Sequence, residues 1–237
     1  MQTSTQTRAC LYLELPLTGY QDAWALQQDI VVAKIDGRLE SDVIISLEHP
    51  PVFTLGRRGG RDNLCVPENF LKEKGIEVIQ VERGGDITYH GPGQMVIYVM
   101  WDIKRYRTSV TDLVFGLEEI MIRTAASFGV AAQRNPLNRG IWVENAKLGS
   151  VGIAIRKGVS FHGLALNVCT NLTHFSWINP CGLQNVGMTT LEKELSRSID
   201  LQAVRRTAAK HIETVMAVKS KHIKSDELYA LMGQKVG

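Results

Sequence analysis

Twelve residues between two strand-like runs, Arg83-Gly84-Gly85-Asp86-Ile87-Thr88-Tyr89-His90-Gly91-Pro92-Gly93-Gln94, hold four glycines and a proline. Glycine opens backbone conformations and close approaches that a side chain would block, and proline withholds a backbone donor. The segment therefore interrupts the strands around it and reads as a wall that a ligand touches. Two reactive groups lie downstream: Lys147, in Ala146-Lys147-Leu148-Gly149-Ser150, and Cys181, in Ile178-Asn179-Pro180-Cys181-Gly182. An amine and a thiol downstream of such a wall together point to acyl transfer through a cysteine thioester.

The runs flanking the segment, Ile76 to Glu82 and Gln94 to Trp101, are expected strands, as are Val43 to Leu47 and Val52 to Leu55 across the break at Pro50-Pro51. Ala23, Leu26, Ile30 and Ala33 recur at helical spacing and predict an amphipathic helix from about 20 to 36, stopped by Gly37. Ser109 and Asp112 form a capping-box pattern. The helix they open is expected to bury Val110, Leu113, Leu117, Ile120, Thr124 and Phe128 and to end at Gly129. Ile141 to Glu144, Lys147 to Ile155 and Val159 to Val168 read as a β-meander, with turns at Asn145-Ala146 and Lys157-Gly158. Leu201, Val204, Ala208, Ile212 and Val215 restore helical spacing from about Asp200 to Val218, and the basic tail from Lys219 reads as a loosely packed helix. No linker or repeat appears, so the expectation is one α+β domain over residues 1–237: a central mixed or antiparallel sheet flanked by helices.

Composition narrows the class. A chain of 237 residues with 44% hydrophobic content can bury a full core. No apolar run approaches the roughly 18 residues that span a bilayer, and Met1 to Ala9 resembles neither a secretory signal nor a transit peptide. A soluble, cytoplasmic protein is expected, with no membrane partner. Cys10, Cys65, Cys169 and Cys181 are scattered without any CxxC pair, which argues against a disulfide scaffold or a zinc site, and no metal is expected. A net charge of +3 does not call for nucleic acid. The basic residues cluster, however, at Arg57-Arg58 with Arg61, Lys104-Arg105 with Arg107, and Arg156-Lys157. Solvated loop charge explains any one cluster; together they can steer an acidic partner protein.

Several motifs are absent from the sequence: the P-loop, the GxGxxG fingerprint, HExxH and GxSxG. Cys181, between Pro180 and Gly182, is expected in a loop, where a thiol is either reactive or simply buried. Cys169 and Cys10, beside apolar runs, are expected to pack. Lys147 would be ordinary surface charge but for Gly149 and Gly152, which let a ligand approach the strand. His90 and His162 each adjoin glycine; either can serve as the base of a Cys–His dyad or hydrogen-bond loop backbone.

Four segments in order, Arg83-Gly84-Gly85-x-x-Thr88-Tyr89-His90-x-x-Gly93-Gln94-x-Val96-x-Tyr98, Lys147 to Gly152, Ser160 to Val168, and Ile178 to Gly182, resemble the signature of the octanoyltransferases of lipoate biosynthesis. The resemblance runs from about Cys10 to Leu195 and departs mildly at Gly149, where alanine or a similar small residue is expected. It implies a fold similar to the biotin and lipoate protein ligases. It further implies octanoyl or lipoyl transfer from an acyl carrier protein to a lysine of lipoyl domains, those of 2-oxoacid dehydrogenase E2 subunits and the glycine cleavage H protein, without a cofactor. By resemblance, Cys181 is the acyl-thioester nucleophile and Lys147 its activator. Arg83, Gly84, Gly85, Asp86, Ile87, Thr88, Tyr89 and His90, with Ser150, Val151, Gly152, Gly163, Leu164 and Ala165, bind the substrate, while His90 and His162 shape the pocket. Two alternatives are an ATP-dependent lipoate or biotin ligase on the same fold and a non-catalytic acyl- or carrier-binding protein.

Overall fold

The strand-like runs assemble into two sheets. The computed structural model describes residues 8–136, 138–179 and 187–233. The small sheet holds β3 (Val52–Leu55) between β4 (Glu77–Gln80), parallel to it, and β5 (Ile87–His90), antiparallel. The large sheet is built from β1 (Arg8–Leu17), β2 (Asp42–Glu48), β6 (Gln94–Met100), β7 (Gln133–Arg134), β8 (Ile141–Val143), β9 (Ala146–Arg156), β10 (Val159–Asn167), β11 (Gly187–Met188) and β12 (Val218–Ile223). Its order is β12-β1-β2-β6-β10-β9-β8-β7, with β11 beside β9. It is mixed: β12 and β2 run parallel to β1, and β2 to β10 via β6 is antiparallel.

Helices cover both faces. α1 (Tyr20–Ile35) and α6 (Ser225–Leu231) lie on one side; α3 (Val110–Ser127) and α5 (Leu201–Met216) lie on the other. β6 shows why this pattern was written as an unbroken apolar run. Met95, Ile97 and Val99 pack with Leu117 and Met121 of α3 and Ala208 of α5, while Val96, Tyr98 and Met100 pack with Leu26 and Ile30 of α1. A strand buried on both faces needs apolar residues at every position. Two short α-helices, α2 (Glu68–Glu73) and α4 (Leu191–Leu195), and two 3-10 turns, Arg61–Asn63 and Leu172–Trp177, complete the elements among the described residues. α3 starts at the expected capping box: Asp112 N–H donates to Ser109 Oγ, and the Asp112 carboxylate accepts from Ser109 N–H.

Four expectations need correction. The tail is only partly a helix, and not a loose one: Val218–Ile223 is a strand paired in parallel with β1, while Ser225–Leu231 is helical as expected but packed, with Leu228 and Met232 fully buried. β12 is an edge strand in which only Val218 and Ile223 point into the core, so its lysines mask the pattern. Val110 is 45% exposed rather than buried, because it opens α3 at the rim of the cavity described below. Cys169 is exposed: β10 ends at Asn167, and the chain turns there with Val168 N–H and Cys169 N–H both donating to the Gly93 carbonyl. The first meander turn also sits one residue earlier than expected, with Glu144 in the left-handed region. The second turn is as expected, Lys157 and Gly158 both having positive φ, as a two-residue hairpin requires.

Candidate active site

The glycine-rich segment carries the chain from the small sheet to the large one. Gly91 leaves room for the Tyr89 ring, whose hydroxyl would lie 2.0 Å from a Cβ there. Gly93, at φ +81°, donates its N–H to the Glu48 carboxylate at 2.7 Å. On the other side of β5, the backbone of Gly84 and Gly85 is closely approached by two further glycines, Gly152 and Gly56. Gly84 N–H donates to Ile153 O at 2.9 Å, a Cβ on Gly152 would lie 3.0 Å from Gly84 O, and one on Gly56 would lie 2.5 Å from Gly85 O. Three backbones approach one another here without intervening side chains. Together with the start of α3 they wall a cavity of about 320 Å³.

Lys147 lies in that wall, 5% exposed, near the start of β9. Its Nζ donates to Asn138 Oδ1 at 2.7 Å and sits 5.5 Å from the centre of the Trp142 ring. The local chain makes space for it: Gly140, at φ +120°, would place a Cβ 2.9 Å from Lys147 Cε and 2.2 Å from Gly149 O. Gly140 N–H donates to the buried Glu118 carboxylate of α3 at 2.9 Å, and Arg134 and Arg139 pair with the same carboxylate at 3.3 and 3.7 Å. Glu118 thus pins the loop that presents Asn138 to the lysine. Gly149 is glycine because a Cβ would lie 2.6 Å from Met121 Sδ and 3.1 Å from Ile141.

Arg83, Gly84, Gly85, Asp86, Ile87, Thr88, His90, Ser150, Val151, Gly152, Gly163, Leu164 and Ala165 all line the cavity with Lys147. Tyr89 does not. Its ring turns into the small sheet's core, against Phe53, Phe175 and His174. Arg83 is buried and braces the wall: Nη2 donates to Thr54 O at 2.7 Å, Nε to Thr54 Oγ1 at 3.3 Å, and Nη1 to Gly84 O at 3.2 Å. Asp86 accepts from Asn63 Nδ2 at 2.7 Å and Ile87 N–H at 2.6 Å. Sequence reasoning passed over Asn138, Gly140 and Glu118, which act through loop geometry and carry no motif.

The inner end of the cavity is polar and buried, with Tyr20, Tyr98, His90 and His162 in its lining. His90 Nδ1–H donates to Gln94 Oε1 at 2.7 Å. Burial, then the neighbouring His49 and Arg83, push its pKa down to about 3. Behind it, His49 Nδ1–H donates to Thr18 O at 2.7 Å, which leaves Nε2 to accept from the Tyr98 hydroxyl at 2.6 Å. Burial lowers the His49 pKa to about 4. His162 departs from the expectation that it bonds loop backbone through its ring: neither ring nitrogen makes a hydrogen bond among the described residues. Its backbone takes φ +59° on β10, where its N–H donates to Gln27 Oε1 at 2.8 Å. Burial, reinforced by Arg83, lowers its pKa to about 3. Neither His90 nor His162 is thus disposed to accept a proton at neutral pH.

Cys181, with Pro180 and Gly182, lies outside the described residues. The described flanks of that segment adjoin the site: Asn179 N–H donates to Asn63 O at 2.8 Å, and Met188 pairs with Lys147 in register. The other thiols are set apart. Burial raises the Cys10 pKa to about 11, and burial with the carboxylates of Glu192 and Glu48 raises that of Cys169.

A mixed sheet with helices on both faces is the fold of the lipoate-protein ligases. The bipartite lipoate protein ligase of Thermoplasma acidophilum superposes with a TM-score of 0.74 over 95% of this chain and 91% of its own, at 16% identity. A lipoate-protein ligase A bound with ATP gives 0.72 over 95% and 92%, also at 16%. Residues 19–213 match the lipoyl protein ligase A/B catalytic domain, and the chain belongs to that family. Among its relatives, the octanoyltransferase of Desulfotalea psychrophila is 48% identical over 196 residues, covering 82% of this chain and 88% of that one. The octanoyltransferase of Caldicellulosiruptor saccharolyticus is 39% identical over 227 residues, covering 95% of each.

Proposed function

We propose that this acyltransferase moves an octanoyl group from the thioester of an acyl carrier protein to a lysine of a lipoyl domain, by way of a thioester on Cys181. The observation that carries the reading is the buried Lys147 Nζ, held at 2.7 Å by Asn138 in the wall of a largely apolar cavity bounded by Gly84, Gly85 and Gly152. An ammonium beside a thiol favours the thiolate, the nucleophilic form. The Cys181 thiolate attacks the donor carbonyl carbon, and backbone N–H groups of the glycine-rich wall stabilise the oxyanion. As the tetrahedral intermediate collapses, the C–S bond to pantetheine breaks and Lys147 protonates the departing sulfur. The neutral Lys147 amine then takes a proton from the acceptor lysine, whose nitrogen attacks the acyl-cysteine and expels the Cys181 thiolate. Thioester becomes amide, the proton returns to Lys147, and the kinetics are ping-pong. No nucleotide takes part.

Intact-mass measurement after mixing the protein with octanoyl-loaded carrier protein tests this directly. The expected result is one added octanoyl group, localised by peptide mapping to Cys181 and discharged by a lipoyl domain. No adduct, with AMP released from ATP and free octanoate instead, would replace this reading with a ligase.

A further inference from the structure

The proposed chemistry leaves one buried group unused. His162 is 1% exposed, lines the acyl cavity, and makes no ring hydrogen bond among the described residues. It also stands in a partition. A second cavity, of about 580 Å³, is lined by Arg57, Glu82, Ala154 and Phe161, while Arg58, Arg83, Ile153 and His162, their immediate chain neighbours, line the first. The wall between the two spaces is therefore one residue thick. At that wall His162 Nε2 lies 3.7 Å from Glu82 Oε2. The Glu82 carboxylate is held by Trp24 Nε1 at 3.2 Å, Gln28 Nε2 at 3.4 Å and Arg156 Nη2 at 3.4 Å.

We infer that the His162 imidazole is the end stop of the acyl cavity, setting the longest straight saturated chain the site accepts. The inference rests on the octanoyl-transfer reading above for the direction in which the chain enters. His162 pairs in register with Ile153, six residues along β9 from Lys147, which separates the two Cα positions by about 20 Å. The two side chains take up part of that span; an extended zigzag advances ~1.25 Å per bond, so eight carbons need about 9 Å of the remainder and twelve about 14 Å. The floor is also the wrong surface for a longer chain. A methylene pushed against the buried ring offers its nitrogens no hydrogen bond and leaves that polar surface unpaired. The cavity behind means that removing the ring lengthens the site.

Glycine suits the left-handed backbone at position 162, so His162→Gly removes the stop without straining the chain. Binding of straight-chain carboxylates from six to fourteen carbons is measured by calorimetry on both proteins. For the wild type, affinity should rise about fourfold per methylene up to eight carbons, then fall by about tenfold or more at twelve. In His162→Gly the twelve-to-eight ratio should shift at least about tenfold toward the longer chain, in binding and in kcat/KM with carrier-protein thioesters. Wild-type affinity climbing through twelve carbons, or a folded His162→Gly protein keeping the wild-type ratio, would overturn the assignment. Should that variant not fold, the wild-type series decides by itself. A break at eight carbons in a protein that transfers no octanoyl group would refute the transfer reading and leave the end stop standing.

Discussion

Lowering the pH from 7 to 5 should destabilise this protein through three histidines. His49, His90 and His162 are buried and neutral, with pKa values pushed down from 6.5 to about 4, about 3 and about 3. A base whose folded pKa is depressed stabilises the fold above its unfolded pKa, and that contribution is lost as pH falls, since the unfolded chain takes up a proton the native state refuses. The loss begins near pH 6.5 and levels off only below the folded values. At pH 5 the unfolded chain lies 1.5 units below its midpoint, so each histidine costs about 2 kcal/mol. The ceiling for the three is about 6 kcal/mol, a large part of a typical domain's stability. The carboxylates stay out of this window, Asp112 and Glu119, lowered by Ser109 and by Arg123 and Arg134, titrating below 3.8 and 4.5, while burial also lowers the pKa values of His174 and His211, so both add to the slope in the same direction. Urea denaturation at pH 7, 6 and 5 measures the slope, and ring NMR titration assigns it. Stability that stays flat between pH 7 and 5, or ring resonances for these residues that titrate near 6.5, would refute the reasoning.

Other perturbations separate the site's chemistry from its scaffold. Lys147→Ala should fold yet lose transfer and raise the pH at which Cys181 alkylates, and Lys147→Arg should not restore turnover because a guanidinium cannot cycle protons; alkylation rate against pH reads the first and acceptor acylation the second. Cys181→Ala should abolish transfer while Cys65→Ala and Cys169→Ala retain most of it, measured by acceptor mass. Gly163→Ala should prevent folding, because its Cβ would lie 2.0 Å from Ile97 O, whereas Gly84→Ala, with Ile153 O at an ordinary 3.5 Å, should keep the wild-type melting temperature within a few degrees. Charge reversal at Arg57, Arg58 or Arg105 should lower kcat/KM and its salt dependence more than kcat, as expected if the carrier protein is acidic and steered; stopped-time assays from low to high salt show the difference.

What could be read from the sequence depended on whether one side chain or one local period carried the information. α1 and the cap of α3 were legible because Ala23, Leu26, Ile30 and the Ser109–Asp112 pair each report on their own element. The glycine-rich wall was legible as a contact surface and Gly152 as a point of close approach, but the meeting of Gly56 with Gly85 and of Gly152 with Gly84 was not, since it is made by pairing across two sheets. β12 was missed because an edge strand buries only Val218 and Ile223. Asn138 escaped notice for a related reason: it is brought to Lys147 by the Gly140–Glu118 hydrogen bond, a long-range contact with no local trace.

The arrangement of polar groups along the cavity gives the proposed reaction its direction. Lys147, bonded to Asn138, stands six residues along β9 from Ile153, the register partner of His162; Val110 at the rim is exposed, whereas Tyr98, His90 and His162 are buried. A thioester entering methyl-first places its carbonyl by the lysine and its chain against the deep floor. Both partners need only the carbonyl: pantetheine leaves from it and the acceptor amine arrives at it. The acyl chain can therefore stay seated through both half-reactions, and the binding energy of its methylenes holds the carbonyl in place for each. A base at the floor would serve neither step. Burial keeps His90 and His162 neutral there, and in the proposed mechanism the one proton given and taken back is that of Lys147, at the end where the partners would exchange.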